Sequence, residues 1–202
     1  MGGDIGSIPR LSACALFSLR QKSNFDPEAM SPMPRLPFPD TSSPDLAPIR
    51  DRIVSARGSL LDLYRLLLHS PPLATGWLEL LTSVRNEISL PPDLRELIIV
   101  RIAFLNDAPY EARQHIPIAL ECGASQDQIE ALHAWEQNTA LFDDVAQAAL
   151  AYTDSMTRNV KVPEPIWKSL RDRFSERECL EITVLVAAYN MVSRVLSALE
   201  LE

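Results

Sequence analysis

The residues of this sequence that could do chemistry are concentrated in one stretch, Leu94–Gly123, which contains Glu96, Glu111 and His115. Glu111 and His115 are four residues apart, so on a helix they share a face and can hydrogen-bond each other. The carboxylate would then hold the tautomer of the imidazole and raise its basicity. Glu96 has apolar neighbours, and burial is expected to raise the pKa of such a carboxyl group. The three residues predict acid–base catalysis, with His115 as acid or base, Glu111 as its orienter and Glu96 as a second proton carrier.

Four further side chains could bind the polar groups of a substrate. They are one phenol and three guanidinium groups near the acid–base residues: Tyr110, Arg113, Arg101 and Arg85. Three interpretations without acid–base catalysis stay open. Glu96 could be a first-turn acid that interacts with the helix dipole, and Glu111 with His115 could be a solvent-exposed pair. Glu111 and His115 could also ligate zinc, but no motif supplies a third ligand, so no metal is expected.

The elements that must position these residues are helices. From Pro48 onward apolar residues recur at helical spacing, and no segment shows sustained strand alternation. The sequence therefore predicts an all-α fold, a bundle of about eight helices joined by short loops. Two of these helices, Leu97–Leu105 and Ile182–Leu199, are apolar on more than one face, which indicates burial in the core or contact with another subunit.

Two regions of different composition divide the chain. Residues 1–45 are rich in proline and serine and are predicted to be an extended or disordered arm, whereas residues 46–202 form the helical domain. Within the arm, Ile8–Lys22 has three basic residues and no acid, as in mitochondrial transit peptides. The alternative is an upstream extension, with Met30 or Met33 as the working start. We expect a cytoplasmic protein, or a mitochondrial one if residues 1–30 are a transit peptide.

The composition of the chain limits the kinds of binding partner that are expected. Of 202 residues, 47% are hydrophobic and 23% charged, which is ordinary for a soluble globular protein. The net charge is −8 and there is no cluster of lysine and arginine, so no nucleic-acid partner is expected. No stretch reaches the roughly 18 consecutive apolar residues of a membrane span, so no membrane association is expected. The expected partners are a small-molecule substrate and further copies of the chain.

The central run LRELIIVRIAFLNDAPYEARQHIPIALECGASQDQIEAL resembles the carboxymuconolactone decarboxylase family, which includes the alkylhydroperoxidase D-like proteins. The resemblance rests on the LREL opening that contains Glu96, on His115 in the next helix, and on Ala119 with Gly123. It implies the alkylhydroperoxidase D-like helical fold and a site that includes Glu96 and His115. It also implies a homo-oligomer, a trimer or hexamer, with a dimer as the further option.

One departure from the family pattern concerns redox chemistry. The peroxidase branch has the spacing C-x-x-C-x-x-x-H, and here Ala108 and Glu111 occupy the two cysteine positions. Cysteine-based peroxide reduction requires a thiolate and a resolving partner, so the chain is not expected to be a CxxC peroxidase. Cys122 and Cys179 lie in apolar helical settings and are predicted to be packing residues.

We therefore expect a lyase of the decarboxylase-like branch that uses no cofactor. It would catalyse decarboxylation, or a related isomerisation or elimination, of a small organic acid or lactone. The alternative is a catalytically inactive family member that acts as an oligomeric ligand-binding or interaction protein. A weaker alternative is a peroxidase-like or other oxidoreductase activity.

Overall fold

The computed structural model describes residues 34–201, and within this range the chain forms nine α-helices and no β-strand. The helices are α1 Ala47–Arg57, α2 Asp62–Leu67, α3 Pro71–Asn86, α4 Pro92–Leu105, α5 Pro109–Glu121, α6 Gln126–Ala131, α7 Asp144–Asn159, α8 Glu164–Arg171 and α9 Glu176–Leu199. Short 3-10 helices lie at Pro44–Leu46, Leu132–Gln137 and Thr139–Leu141. The predicted all-α fold is confirmed, with nine helices in the described part of the chain where about eight were expected.

The centre of the fold is α4. Every residue from 96 to 103 is buried, and the helix packs against α5, α7 and α9. A helix that is covered on all sides has no solvent-facing side for polar residues, which explains its apolar sequence. The apolar run Leu97–Leu105 is therefore accounted for mainly by burial within one chain and is no evidence for a subunit interface.

The hairpin of α4 and α5 brings the chemistry of two helices together. The turn between them uses Asp107 in the left-handed region (φ 50°), and Pro109 occupies the first turn of α5, where its missing N–H costs nothing. Asn106 in this turn donates a hydrogen bond to Asn190 of α9 (3.1 Å). The hairpin is thus fixed to α9, and Glu96 on α4 faces His115 on α5.

The last helix, α9, has two different sides. It begins with the predicted capping box, in which Ser175 and Glu178 satisfy each other's backbone N–H groups. By length and hydropathy alone α9 could span a membrane, yet half of its most apolar window is buried against other helices of this fold. The inner side packs in the core, while Leu180 and Val184 on the outer side are exposed.

The end of the predicted N-terminal arm packs on the helical body. Arg35 forms an ion pair with Glu200 (2.6 Å), and the ring of Phe38 lies under the guanidinium of Arg65 (3.8 Å). These contacts hold residues 34–43 against the ends of α2 and α9. The rest of the predicted arm, with the transit-peptide-like segment, lies outside the described residues.

Candidate active site

The imidazole of His115 is hydrogen-bonded to Glu96 across the α4–α5 hairpin, with 2.7 Å between Nδ1 and Oε2. Both side chains are buried, Glu96 with 1% and His115 with 6% of its surface exposed. The prediction that Glu111 orients His115 is wrong, because the Glu111 carboxyl is hydrogen-bonded to Ser193 of α9 instead (2.8 Å). Spacing on one helix permits a contact, but a partner on a neighbouring helix can be better placed.

In the pair of Glu96 and His115, the lowered pKa values favour a carboxylate and a neutral imidazole. Burial acts to raise the pKa of Glu96, but its hydrogen-bonded contact with His115 and the charges of Arg95 and Arg85 outweigh burial and hold that pKa below its usual range. The expected rise in the Glu96 pKa is therefore wrong, because neighbouring cations were not foreseen. Burial lowers the pKa of His115 by more than Glu96 raises it. Since an ionised Glu96 can only accept, Nδ1 carries the proton and Nε2 keeps its lone pair.

A cavity of about 80 Å³ opens beside His115, between α1, α2, α3, α5 and α9. An ordered water needs roughly 10–15 Å³ on this scale, so the space suits a ligand of a few non-hydrogen atoms. Its walls are largely apolar, with Trp77, Leu81 and Ile118 among them. Six of the polar side chains that line it come from four helices: Arg57, Arg85, Glu111, Gln114, His115 and Tyr189.

Two polar atoms in this wall have no partner within residues 34–201. One is Oε1 of Glu111 and the other is the hydroxyl of Tyr189, and both are fully buried. Burial raises the pKa of Glu111 to about 8, although the hydrogen bond with Ser193 works in the opposite direction. Burial also raises the pKa of Tyr189 well above its usual range. The edge of the Tyr189 ring contacts His115 with 5.1 Å between centroids.

Two guanidinium groups line the cavity without an acid partner in the described part of the chain. Arg85 makes neither a hydrogen bond nor an ion pair there, and nearby Glu96 and Tyr189 help to raise its pKa despite burial. Arg57 is 5% exposed and is held by neutral groups, the Tyr64 hydroxyl (3.1 Å) and the Thr82 hydroxyl (3.0 Å). Buried cations normally pair with acids, so these two give the cavity a positive character.

Of the four predicted substrate-binding residues, two line the cavity and two do not. Tyr110 and Arg85 line the cavity, and burial raises the pKa of Tyr110 to about 12. Arg101 is wrong as a substrate ligand because its guanidinium is paired with Asp154 in the core (Nε to Oδ1, 2.7 Å). Arg113 is also wrong, because it is exposed outside the cavity.

Sequence reasoning missed Arg57, Tyr189 and Ser193. They belong to α1 and α9, far along the chain from the central hairpin, so only the tertiary packing brings them to it. One local feature of the sequence points to Arg57. This residue directly precedes Gly58, which ends α1 in the left-handed region (φ 80°). A helix end of this kind fixes the position of the charged residue, but the sequence does not show which residues that side chain faces.

The cysteines of the described residues lie away from the cavity. Cys179 is buried near the start of α9, where its Sγ approaches the carbonyl oxygen of Phe174 (3.7 Å). Cys122 is half-buried at the end of α5. Neither lines the cavity. Within residues 34–201 no group of three or more His, Cys, Asp or Glu side chains could hold a metal ion.

Part of this chain is similar to a known protein family and to a relative from Bacillus subtilis. Residues 71–155 match the model of the carboxymuconolactone decarboxylase family. The uncharacterized protein YdfG of Bacillus subtilis (strain 168) is 23% identical over 112 residues, which are 54% of this chain and 76% of YdfG. Residues 71–155, which contain Glu96, Glu111 and His115, are therefore similar to the carboxymuconolactone decarboxylase family.

Solved structures show the same architecture. An alkylhydroperoxidase AhpD core protein from Ralstonia eutropha JMP134, described as peroxidase-related, superposes with a TM-score of 0.72 at 19% identity, covering 85% of this chain and 92% of that one. The debrominase Bmp8 in complex with 2,3,4-tribromopyrrole gives 0.68 at 19% identity, with coverage of 81% and 88%. A protein of unknown function from Agrobacterium tumefaciens gives 0.63 at 22% identity, with coverage of 68% and 94%. The fold is therefore that of the AhpD-like proteins.

Proposed function

We propose that this protein is an acid–base enzyme that uses no cofactor and moves a proton at the carbon next to the carbonyl group of a small organic acid or lactone. The observation that carries the proposal is the neutral His115, whose Nε2 makes no hydrogen bond within residues 34–201, in a cavity lined by the acid-free Arg85. A neutral imidazole is a base suited to neutral pH. An unpaired guanidinium is a ready ligand for a carboxylate.

Each charged group has a role in this reaction. Arg85 binds the carboxylate of the substrate, and Arg57 adds positive potential along the same cavity. Nε2 of His115 takes the proton from carbon, and the imidazolium that forms is stabilised by Glu96, which stays ionised. Arg95 donates a hydrogen bond to the other carboxylate oxygen of Glu96 (3.1 Å). This bond fixes the Glu96 side chain, which in turn fixes the orientation of the imidazole ring.

Decarboxylation, isomerisation and elimination share one requirement, the stabilisation of an enolate or carbanion. This intermediate is protonated at carbon in a decarboxylation or an isomerisation and expels a leaving group in an elimination. The name of the matched family favours a decarboxylase among these reactions, which would make the protein a lyase. The debrominase with its bound tribromopyrrole supports the idea that this fold accommodates small organic molecules and catalyses reactions on them. The apolar wall agrees with such a ligand, since most small-molecule sites are largely apolar with a few polar groups.

The test is proton exchange at carbon, which needs no knowledge of the product. We expect the protein to exchange the C3 protons of 2-oxobutanoate for deuterium in D2O, as measured by proton NMR. His115→Gln should lower the exchange rate by about 10²–10⁴-fold, the usual contribution of a general base. His69→Gln is the matched control, because His69 is exposed and lies outside the cavity. Exchange that survives His115→Gln at the full rate would contradict the proposal.

A ligand-binding protein without catalysis remains the second candidate, favoured by the unpartnered Glu111 Oε1 and Tyr189 hydroxyl, which a bound ligand would satisfy. Saturable binding of 2-oxobutanoate by calorimetry with no exchange and no product would establish it. The weaker oxidoreductase alternative requires a reactive thiol. It predicts that a thiol alkylator stops the activity, whereas the acid–base mechanism predicts that activity survives.

We also propose that the protein forms homo-oligomers through the outer side of α9. Leu180 is 63% and Val184 38% exposed, one turn apart on one side of the helix. Exposed apolar neighbours of this kind are typical of contact surfaces. Light scattering after size exclusion should show a smaller particle for the double variant Leu180→Glu, Val184→Glu, and an unchanged size would contradict this interface.

A further inference from the structure

The hydroxyl of Ser193 is placed between two acceptors. Its Oγ lies 2.8 Å from Oε2 of Glu111 and 2.9 Å from the backbone carbonyl oxygen of Tyr189. A serine hydroxyl has one proton to donate, and a carbonyl oxygen can only accept. When Ser193 donates to Tyr189, the contact with Glu111 is a hydrogen bond only if Glu111 carries the proton. This arrangement accommodates a protonated Glu111. The carboxyl is also buried with no cation bonded to it in the described residues, which favours its neutral form and raises its pKa to about 8.

The other oxygen of Glu111 provides an independent observation. Oε1 is buried without a partner in the described chain, as is the hydroxyl of Tyr189, and both side chains line the cavity. Buried polar groups are almost always hydrogen-bonded, so two orphans in one wall mark a place that a ligand completes. In the empty site the proton is on Oε2, which faces Ser193, so it meets a ligand only when the carboxyl group turns and presents its O–H to the cavity. A ligand atom that accepts hydrogen bonds then satisfies this O–H and the phenol at once.

We infer that Glu111 is a neutral carboxylic acid that donates its proton to the carbonyl oxygen of the bound substrate, and that Ser193 is the positioning residue that holds this proton in the empty site. The inference rests on the proposed function and extends it. It assigns the substrate a second polar group besides the carboxylate, a ketone or lactone oxygen, beside Glu111 and Tyr189.

The proton transfers balance without any other reactant. Nε2 of His115 takes a proton from the carbon next to the carbonyl, and the electrons of that C–H bond form the carbon–carbon double bond. The carbonyl π electrons move to oxygen, which receives the proton of Glu111 and gives an enol. The new carboxylate is stabilised by Ser193, whose hydroxyl turns from the Tyr189 carbonyl to Glu111. Return of both protons regenerates the site, and return to a different carbon is an isomerisation.

The groups around Glu111 that carry or can change charge come from every helix that lines the cavity. These groups are Arg57 from α1, Tyr64 from α2, Arg85 from α3, Tyr110 and His115 from α5, and Tyr189 from α9. Burial raises the pKa values of Tyr110 and Tyr189, so both phenols are uncharged at neutral pH, and His115 is neutral in its pair with Glu96. Two cations thus remain, and they attract the substrate anion while Glu111 itself adds no negative charge.

The experiment is difference infrared spectroscopy of the full-length protein against Glu111→Gln. We expect the C=O band of a protonated carboxyl at about pH 6 and its loss by about pH 10, with a midpoint near the raised pKa of Glu111. Absence of the band at the lower pH would overturn the inference. Addition of 2-oxobutanoate should shift the band, because the proton changes its acceptor, and an unshifted band would overturn the contact with substrate.

Ser193→Ala tests the positioning role, with Ser197→Ala as the matched control, since Ser197 is exposed one turn further along α9. In Ser193→Ala the band should move to higher frequency and its midpoint should rise, because the carboxylate loses its donor. Ser197→Ala should leave both unchanged. A Ser193→Ala spectrum identical to that of the parent protein would overturn the role of Ser193.

Proton exchange separates this inference from the function on which it rests. Glu111→Gln should lower the exchange of 2-oxobutanoate about tenfold or more, while its binding, measured by calorimetry, stays within about threefold. Undiminished exchange in Glu111→Gln would overturn the acid role. A protein that shows the carboxyl band but no exchange before any substitution would overturn the proposed function and leave Glu111 as a neutral acid.

Discussion

Replacement of Glu111 by glutamine should make the protein more stable at alkaline pH. The carboxyl group is 2% exposed and has no cation bonded to it in the described chain. The neutral form of Glu111 is therefore favoured in the folded protein. At high pH the folded protein must either keep a proton on this carboxyl group or bury a charged carboxylate. Glutamine has the shape of the neutral acid and cannot ionise, so it removes this burden while its amide can keep the contact with Ser193.

The magnitude follows from the pKa of Glu111, which rises from its ordinary value of 4.5 to about 8 on folding. A raised acid pKa means that the folded state binds more protons than the unfolded state between these two values. The contribution of Glu111 to stability therefore falls as pH rises through this window. At about 1.4 kcal/mol for each pH unit, the loss approaches roughly 5 kcal/mol above the folded pKa and is absent below the unfolded one.

The assay is urea unfolding of the parent protein and Glu111→Gln at several pH values from about 4 to 9 and at one protein concentration. The stability of Glu111→Gln relative to the parent should climb steadily with pH up to about pH 8. Glu121→Gln is the control, because Glu121 is exposed at the end of the same helix. A difference between Glu111→Gln and the parent that does not change with pH would refute the neutral Glu111.

Three further predictions concern the core and the cavity. Asp154→Ala should destabilise the protein by about 3–5 kcal/mol in urea unfolding, because it removes the buried carboxylate closest to the guanidinium of Arg101; a loss below about 1 kcal/mol would contradict this. Tyr189→Phe should leave the stability of the empty protein unchanged or higher, since its hydroxyl has no partner in the described residues, and it should weaken binding of 2-oxobutanoate. Arg85→Gln should weaken that binding about tenfold or more in calorimetry, and unchanged affinity would exclude Arg85 as the carboxylate ligand.

The sequence predicted the helical fold because periodicity and helix ends are local properties. Apolar spacing located the helices, and the Ser175 capping box and the proline-marked starts needed no tertiary information. It also found Glu96 and His115, since both lie on one hairpin. It failed on their pairing, because a contact between Glu111 and His115 within one helix was preferred to a contact across two helices.

The remaining site residues depend on long-range packing. Arg101 was the only polar residue in an apolar run, which is equally consistent with a substrate ligand and with a buried ion pair to Asp154. The pKa of Glu96 could not be derived without Arg85 and Arg95 in space, since burial alone predicts the opposite direction. Ser193 lies 82 residues beyond Glu111, with Tyr189 one helical turn before it, and nothing local in α9 distinguishes them from core residues.

The first two helices, α1 and α2, can be considered separately from the helices that carry the proton-transfer residues. Residues 47–67, which carry Arg57 and Tyr64, form one wall of the cavity, whereas Glu96 and His115 lie on a different stretch of the chain. One part of the ligand-binding wall is therefore encoded in a segment separate from the residues that transfer the proton. Exchanging α1 and α2 for a hairpin of different sequence would change which molecules are accepted and leave the base and its carboxylate in place.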